Sequence, residues 1–212
     1  MVEKAHLQKE EYRRNPCRAA ALPYWKEVSV CLPANMRVVH AKDFSQELLA
    51  EYADTPYFRL LHSMQSIDTP VLPQGFSFAK AEDEMLAAHI NRCYGADCVD
   101  GKELARWRQR KTYCEDLWIT VCDAMGDIAA SGIGEIDGEM KEGALEWIQV
   151  SPSYRKCGLG KFIVLELLRR MESMADFVTV SGEVHNPSQP EKLYRACGFT
   201  GEDVWHVLRL KE

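Results

Sequence analysis

The stretch from Leu145 to Met171 constrains the fold of this chain most. Leu145-Glu146-Trp147-Ile148-Gln149-Val150 is a short apolar run of strand length. Leu159 to about Met171 is a long apolar run of helical length. Between them lies Ser151-Pro152-Ser153-Tyr154-Arg155-Lys156-Cys157-Gly158, with Gly160 and Lys161 just inside the helix. Strand, tight glycine loop and helix in that order point to an α/β arrangement. Such a loop aims several backbone N–H groups at one spot, and the helix N-terminus adds partial positive charge. The result is an anion cradle, most simply for a phosphate or pyrophosphate.

Two nucleotide-binding patterns fail on particular residues. A P-loop ending at Gly160-Lys161 needs Ser or Thr where Phe162 stands, and a glycine where Arg155 stands. A dinucleotide fingerprint through Gly158 and Gly160 needs a third glycine at Ile163. What remains is Arg155-x-x-Gly158-x-Gly160, preceded by Val150-x-Pro152-x-Tyr154. This resembles the pyrophosphate loop of the GNAT superfamily of acyl-CoA-dependent N-acyltransferases, which follows a central strand. A second stretch is similar to the same family. Asp176 to Val184 reads as a strand. Asn186-Pro187 and a helix from Pro190 to Cys197 follow, with Leu193-Tyr194 and Gly198-Phe199 in the family's spacing. Gly198 suits a helix C-cap. The resemblance covers residues 76–212.

It implies a mixed, mostly antiparallel central sheet flanked by helices, with residues 1–75 as an N-terminal α/β extension packing on an acyltransferase domain at 76–212. It also implies acetyl-CoA as cosubstrate and transfer of its acetyl group to a primary amine by direct attack on the thioester. The expected cofactor contacts are Arg155, Lys156, Cys157, Gly158, Leu159, Gly160 and Lys161 in the loop. Ile148, Gln149 and Val150 on the strand would orient the pantetheine through backbone hydrogen bonds, as an added strand does. In the family that strand splays from its neighbour. Asn186 would bond the pantetheine, although an Asn-Pro pair also starts helices. Tyr194 is the expected acid, since a phenol can protonate a departing thiolate; the other reading of Tyr194 is a core aromatic. Glu146 is the candidate base, because it alternates with Ile148 and Val150 and so would share their face. Glu135 and Glu142 are its rivals. Cys157 sits at a helix N-terminus, where a thiol pKa can fall, or it is simply a small packing residue.

The rest of the chain frames this module. Residues 3–14 read as a polar helix ended by Asn15-Pro16. Val28–Leu32 and Met36–His40 read as a strand pair, and either could stand in for a final family strand, because only thirteen residues follow Phe199. Asp43-Phe44-Ser45-Gln46 can cap a helix to Tyr52, and Tyr57 to Met64 reads as another. A breaker-rich border falls at Thr69-Pro70 and Pro73-Gln74-Gly75. Beyond it the order is β-α-α-β-β-β-α-β-α-β. Tyr24, Trp25, Trp107 and Tyr113 are either acceptor-pocket lining or core.

Composition excludes several classes. The chain has 212 residues, a net charge of −6 and 46% hydrophobic residues. An acidic chain of this kind lacks the basic surface of a non-specific nucleic-acid binder and tolerates a cationic amine. No apolar run approaches the roughly 18 residues of a membrane span, and the charged N-terminus lacks a signal-peptide core. A cytoplasmic location is therefore expected, with eight reduced cysteines. Cys93 and Cys98 have no partner pair at zinc spacing, and His89 with Cys93 is only an i, i+4 pair, so no metal site is expected. The expected acceptor is a small-molecule or peptide amine, with no nucleic acid or membrane partner; a homodimer stays open. The alternatives to catalysis are a catalytically quiet acyl-CoA-binding sensor and an interaction protein whose extension binds a partner.

Overall fold

A computed structural model describes residues 7–211. Residues 7–75 supply helices α1 (Lys9–Arg14), α2 (Pro16–Ala19) and α3 (Tyr24–Ser29), then strands β1 (Met36–His40) and β2 (Tyr52–His62). The rest runs β3 (Ser77–Ala79), α4 (Asp83–Tyr94), α5 (Gly101–Trp107), β4 (Trp118–Cys122), β5 (Ile128–Asp137) and β6 (Glu142–Val150). It closes with α6 (Leu159–Met171), β7 (Phe177–Glu183), α7 (Pro190–Arg195) and β8 (Thr200–Leu210). All strands form one eight-stranded sheet in the order β1-β8-β2-β7-β6-β5-β4-β3. Every pairing is antiparallel except β6 with β7. This is the mixed, mostly antiparallel α/β fold that the sequence motifs imply.

Side-chain alternation on β5 divides the molecule into two faces. Gly132 and Gly134 meet α6, and a Cβ at Gly132 would stand 2.4 Å from Ile163 Cγ2. Glycine here lets the helix approach the sheet closely. Ile133, between them, packs instead with Leu86 of α4 and Leu104 of α5. The main core lies on the α6 face, where Phe162, Ile163, Leu167 and Leu168 are buried against Ile119, Leu145 and Val180. Each such side chain contributes about 1.5–3 kcal/mol by leaving water. Among the described residues no helix is long and apolar enough to cross a membrane.

Three expectations for the extension are corrected. Val28 to Leu32 is not a strand: Val28 belongs to α3, which starts behind Pro23, and the residues after Ser29 are irregular. The helix expected from Ser45 to Tyr52 shrinks to one 3-10 turn at Gln46–Ala50, with Ser45 Oγ accepting from the Glu47 N–H at 3.3 Å. Tyr57 to His62 is strand rather than helix. Phe58 with Leu60 fits a two-residue period and Phe58 with Leu61 a helical one, and the lane between β7 and β8 decides for the strand. Of the polar helix expected over 3–14, residues 3–6 lie outside the described residues; Lys9–Arg14 forms α1, and Asn15 ends it.

β1 does take the outer edge of β8, so Met36–His40 supplies the missing closing strand. β2 adds what the sequence did not disclose, a strand between β7 and β8. The extension is bound to the sheet by a buried polar network. Glu142, at the start of β6, accepts from Tyr12 Oη (2.6 Å), Thr179 Oγ1 (2.8 Å) and the Tyr24 N–H (3.0 Å). Arg59 of β2 approaches the same carboxylate at 3.6 Å and donates to Tyr12 Oη (2.9 Å) and to the Ala21 carbonyl (3.2 Å). Glu142 is thus a structural carboxylate sealed beneath the extension, 1% exposed, and not a rival base.

Candidate active site

The site begins where two strands part. The parallel β6–β7 ladder runs from Glu142↔Phe177 to Leu145↔Val180 and stops. β6 continues against β5 to Val150, while β7 continues against β2 to Glu183. Residues 146–150 therefore have no strand partner on the β7 side. Ile148, Gln149 and Val150 lie along this opening, each half-buried.

A bulge sits at the parting. Gly134 opposes Leu145 but Gly132 opposes Ile148, so Glu146 and Trp147 together face Ile133. The bulge breaks the alternation on which Glu146 was expected to share a face with Ile148 and Val150. Ile148 and Val150 turn toward α6, as their contacts around Gly132 and Gly160 show. Glu146 turns to the opposite face, where Lys26 Nζ of α3 pairs with it at 2.5 Å.

The loop after β6 turns tightly into α6. Pro152–Tyr154 make a 3-10 turn behind Ser151. Lys156 (φ +65°) and Gly158 (φ +85°) are left-handed, and Gly158 caps α6. Among the described residues the N–H groups of 156–161 have no backbone acceptor; the first committed amide is Phe162, which donates to the Gly158 carbonyl. Those groups include Cys157, Leu159, Gly160 and Lys161. A Cβ on Gly160 would press on Leu193 Cδ2 at 3.1 Å and on Val150 at 3.7 Å, so the bare backbone keeps the concavity open. Arg155 does not stand free at the cradle. Its guanidinium donates to the carbonyls of Val150 and Cys93, both at 3.4 Å, and ties the loop to the end of α4. Lys161 reaches Asp68 at 3.4 Å, and the Cys157 thiol is exposed.

Tyr194 of α7 sits on the α6 face, buried, with its ring 6.1 Å from that of Phe58 and 5.8 Å from that of Phe199. Burial, then the nearby Tyr94, Cys197 and Glu146, push its phenol well above the ordinary range. The two readings of Tyr194 therefore coexist: a core ring whose hydroxyl stays protonated. Asn186 holds its own turn, its Oδ1 accepting from Ser188 N–H (2.9 Å) and Ser188 Oγ (2.7 Å).

On the other face a charged and aromatic cluster surrounds Glu146. Glu135, 4% exposed, accepts from Arg110 at 2.9 Å and has Lys26 Nζ at 3.9 Å. Burial and the Glu146 charge raise the Glu135 carboxyl, against the pull of Lys26 and Arg110. Arg110 lies over Trp107 (4.9 Å) and Trp25 (5.3 Å), and Trp107 stacks on Trp147. Of the four candidate lining aromatics, Trp25 and Trp107 belong here. Tyr24 is buried against Tyr12, and Tyr113 accepts from Arg108. A cavity of about 90 Å³ opens at the parting, lined by Pro23, Lys26, Arg59, Leu145, Glu146 and Val180, among others. A larger groove of about 440 Å³ lies at the β3–β4 edge beside Arg108, Trp118 and Arg170 and holds none of the expected site residues. Lys26 and Arg110 carry no sequence signal for this role, because only the packing of α3 and α5 on the sheet brings them to Glu146 and Glu135. His89 is a buried imidazole against Ser151 (3.3 Å), with its pKa lowered to about 4 by burial and then by Arg92.

The acetyltransferase (GNAT) family model matches residues 75–199. In fold the chain is similar to a GCN5-related N-acetyltransferase from Sphaerobacter thermophilus (TM-score 0.68, 14% identity), over 84% of this chain and 61% of that one. It is similar to a GNAT-family acetyltransferase from Colwellia psychrerythraea (TM-score 0.57, 16% identity), over 88% and 69% of the two chains. A tandem GNAT protein from the clavulanic acid biosynthesis pathway, described without AcCoA, matches with TM-score 0.59 and 16% identity over 74% and 54%. The chain thus spans less than two thirds of the Sphaerobacter protein, 61% of its length. No curated protein matches the chain.

Proposed function

The chain belongs to the GNAT acetyltransferase family, and we propose that it transfers the acetyl group of acetyl-CoA to a primary amine on a small molecule or peptide. The observation that carries this reading is the parting of β6 from β7 after Leu145 and Val180, directly before a loop with uncommitted amides at 156–161. Acetyl-CoA supplies an acyl carbon activated as a thioester. The loop amides and the α6 N-terminus suit its pyrophosphate, and the edge of Ile148, Gln149 and Val150, which lacks a strand partner on the β7 side and whose Val150 carbonyl accepts from Arg155, suits the amide-bearing pantetheine. Lys156 adds positive charge at the loop. Arg155 supports it from behind through Val150 and Cys93. Asn186 shapes the turn opposite, beside the pantetheine's path.

Tyr194 is the proton donor to the leaving thiolate, since its buried phenol holds its proton throughout the ordinary pH range. Glu146 receives the amine proton, with Glu135 as the buried carboxylate behind it. A quiet acyl-CoA sensor is the second reading, favoured by the engagement of Glu146 with Lys26. All eight cysteines are free thiols, which suits a cytoplasmic setting.

The test begins with cofactor binding. Acetyl-CoA at 100 times its Kd should stabilise the fold by about 2.7 kcal/mol. Gly160→Asp should abolish this by setting a carboxylate in the cradle. A folded chain with no thermal shift at saturating acetyl-CoA refutes the reading. Release of free CoA with a panel of amines then separates the transferase from the sensor.

A further inference from the structure

We propose that Lys26 is itself an acyl acceptor, an intramolecular modification site at the mouth of the β6–β7 split. The inference rests on the acetyl-transfer reading and extends it to a residue of the N-terminal extension.

The first argument is placement. Tyr24 is fixed by its N–H to Glu142 Oε2 at 3.0 Å, so α3 is anchored two residues before Lys26. The Lys26 amine is then held 2.5 Å from Glu146 Oε1 and 3.9 Å from Glu135 Oε2. A primary amine thus stands beside the carboxylate assigned to take an amine's proton. The same amine lines the cavity that opens where Leu145 and Val180 are last paired. Holding a reactant beside its partner converts a bimolecular step into a unimolecular one.

The second argument is contrast with other lysines. The side chains of Lys80, Lys141 and Lys161 are 94%, 61% and 49% exposed and make their ion pairs at the surface. Lys26 is 18% exposed and sits between two carboxylates. Indiscriminate chemical acetylation favours the exposed lysines, so selective modification of Lys26 is a signature of this site.

The step balances with acyl-CoA as the only co-reactant. The Lys26 ammonium gives one proton to Glu146, and the freed Nζ lone pair attacks the thioester carbonyl carbon. The N–C bond forms and the C–S bond breaks, with its electron pair going to sulfur. Glu146 passes that first proton to solvent and then relays the nitrogen's second, while Tyr194 protonates the thiolate and is reprotonated from solvent, so one proton is released net. The products are an amide at Lys26 and free CoA. The acylated side chain carries no charge, so Glu146 and Glu135 lose their shared cation.

The experiment incubates the full chain with acetyl-CoA and maps acyl groups by peptide mass. Lys26 should be acylated at least about 10-fold faster than Lys80 or Lys141, at a rate independent of protein concentration. Glu146→Gln and Tyr194→Phe should each slow modification at Lys26 by about 10-fold or more while the background at Lys80 stays level. Lys26→Arg, which keeps the cation, should lose the modification and retain the thermal shift with acetyl-CoA. An unmodified Lys26 in a chain that binds acetyl-CoA and acetylates an added amine overturns the inference and leaves the transferase reading standing. Modification of Lys26 no faster than of Lys80, or at a rate that rises with protein concentration, also overturns it. Absence of any thermal shift with acetyl-CoA overturns both.

Discussion

Replacing Arg59 by Met tests whether the extension is part of the fold's central energetics. Arg59 and Glu142 are each 1% exposed, and the pair joins β2 to β6. Arg59 also donates to Tyr12, Ala21, Ser181 and Thr179. The methionine fills comparable space but leaves Glu142 with only Tyr12, Thr179 and the Tyr24 N–H. Breaking a buried pair from one side costs about 3–5 kcal/mol. For a chain of this size that is a fall of about 6–20 °C in Tm. The pH dependence gives the second signature. Burial already raises the Glu142 carboxyl, and Arg59 is the largest opposing influence. Without it the folded-state pKa rises further, so the variant's deficit is largest above that pKa. It shrinks as the pH falls through the folded-state pKa, and below the unfolded carboxyl's value Glu142 is neutral in both states. Thermal unfolding followed by circular dichroism across this range measures both effects. Glu142→Gln added to Arg59→Met should recover part of the loss at neutral pH. A Tm deficit under 2 °C, or one equal at acid and neutral pH, refutes this account of the network.

Three further expectations concern the site and the extension. Tyr194→Phe should lower kcat about 100-fold with little change in acetyl-CoA affinity; an unchanged kcat at saturating substrates removes Tyr194 from the chemistry. Glu146→Gln should lower kcat/KM and move the pH optimum upward, and a superimposable profile would transfer the role to Glu135 or to water. A chain beginning at Gly75 lacks β1 and β2, which strips β8 of both neighbours and exposes the edge of β7. It should aggregate, and a monomeric remnant melting at the full-length temperature would show that residues 1–75 are dispensable to the sheet.

Much of the backbone geometry around the loop was legible in the chain, because its determinants are local. A loop of six residues from Arg155 to Gly160 contains its own turn chemistry, and the helix behind it is written in a continuous apolar run. The place of Tyr194 on a short helix was legible for the same reason, as its spacing from Gly198 and Phe199 is set within one helix and its cap. The face that carries Glu146 was not. A one-residue bulge opposite Ile133 sends Glu146 to the face opposite Ile148, and no alternation pattern can disclose a bulge made by the partner strand's register. Tyr57 to His62 satisfied both helical and strand periods, and only the lane between β7 and β8 chose between them. Glu142 reads in the sequence as a rival to Glu146, and only Tyr12, Tyr24 and Arg59, distant in sequence, reveal it as a buried structural carboxylate. Short-range backbone geometry is encoded residue by residue. The meeting of Lys26, Glu135 and Glu146 depends on how the helices dock on the sheet, and that is decided only when the whole core has packed.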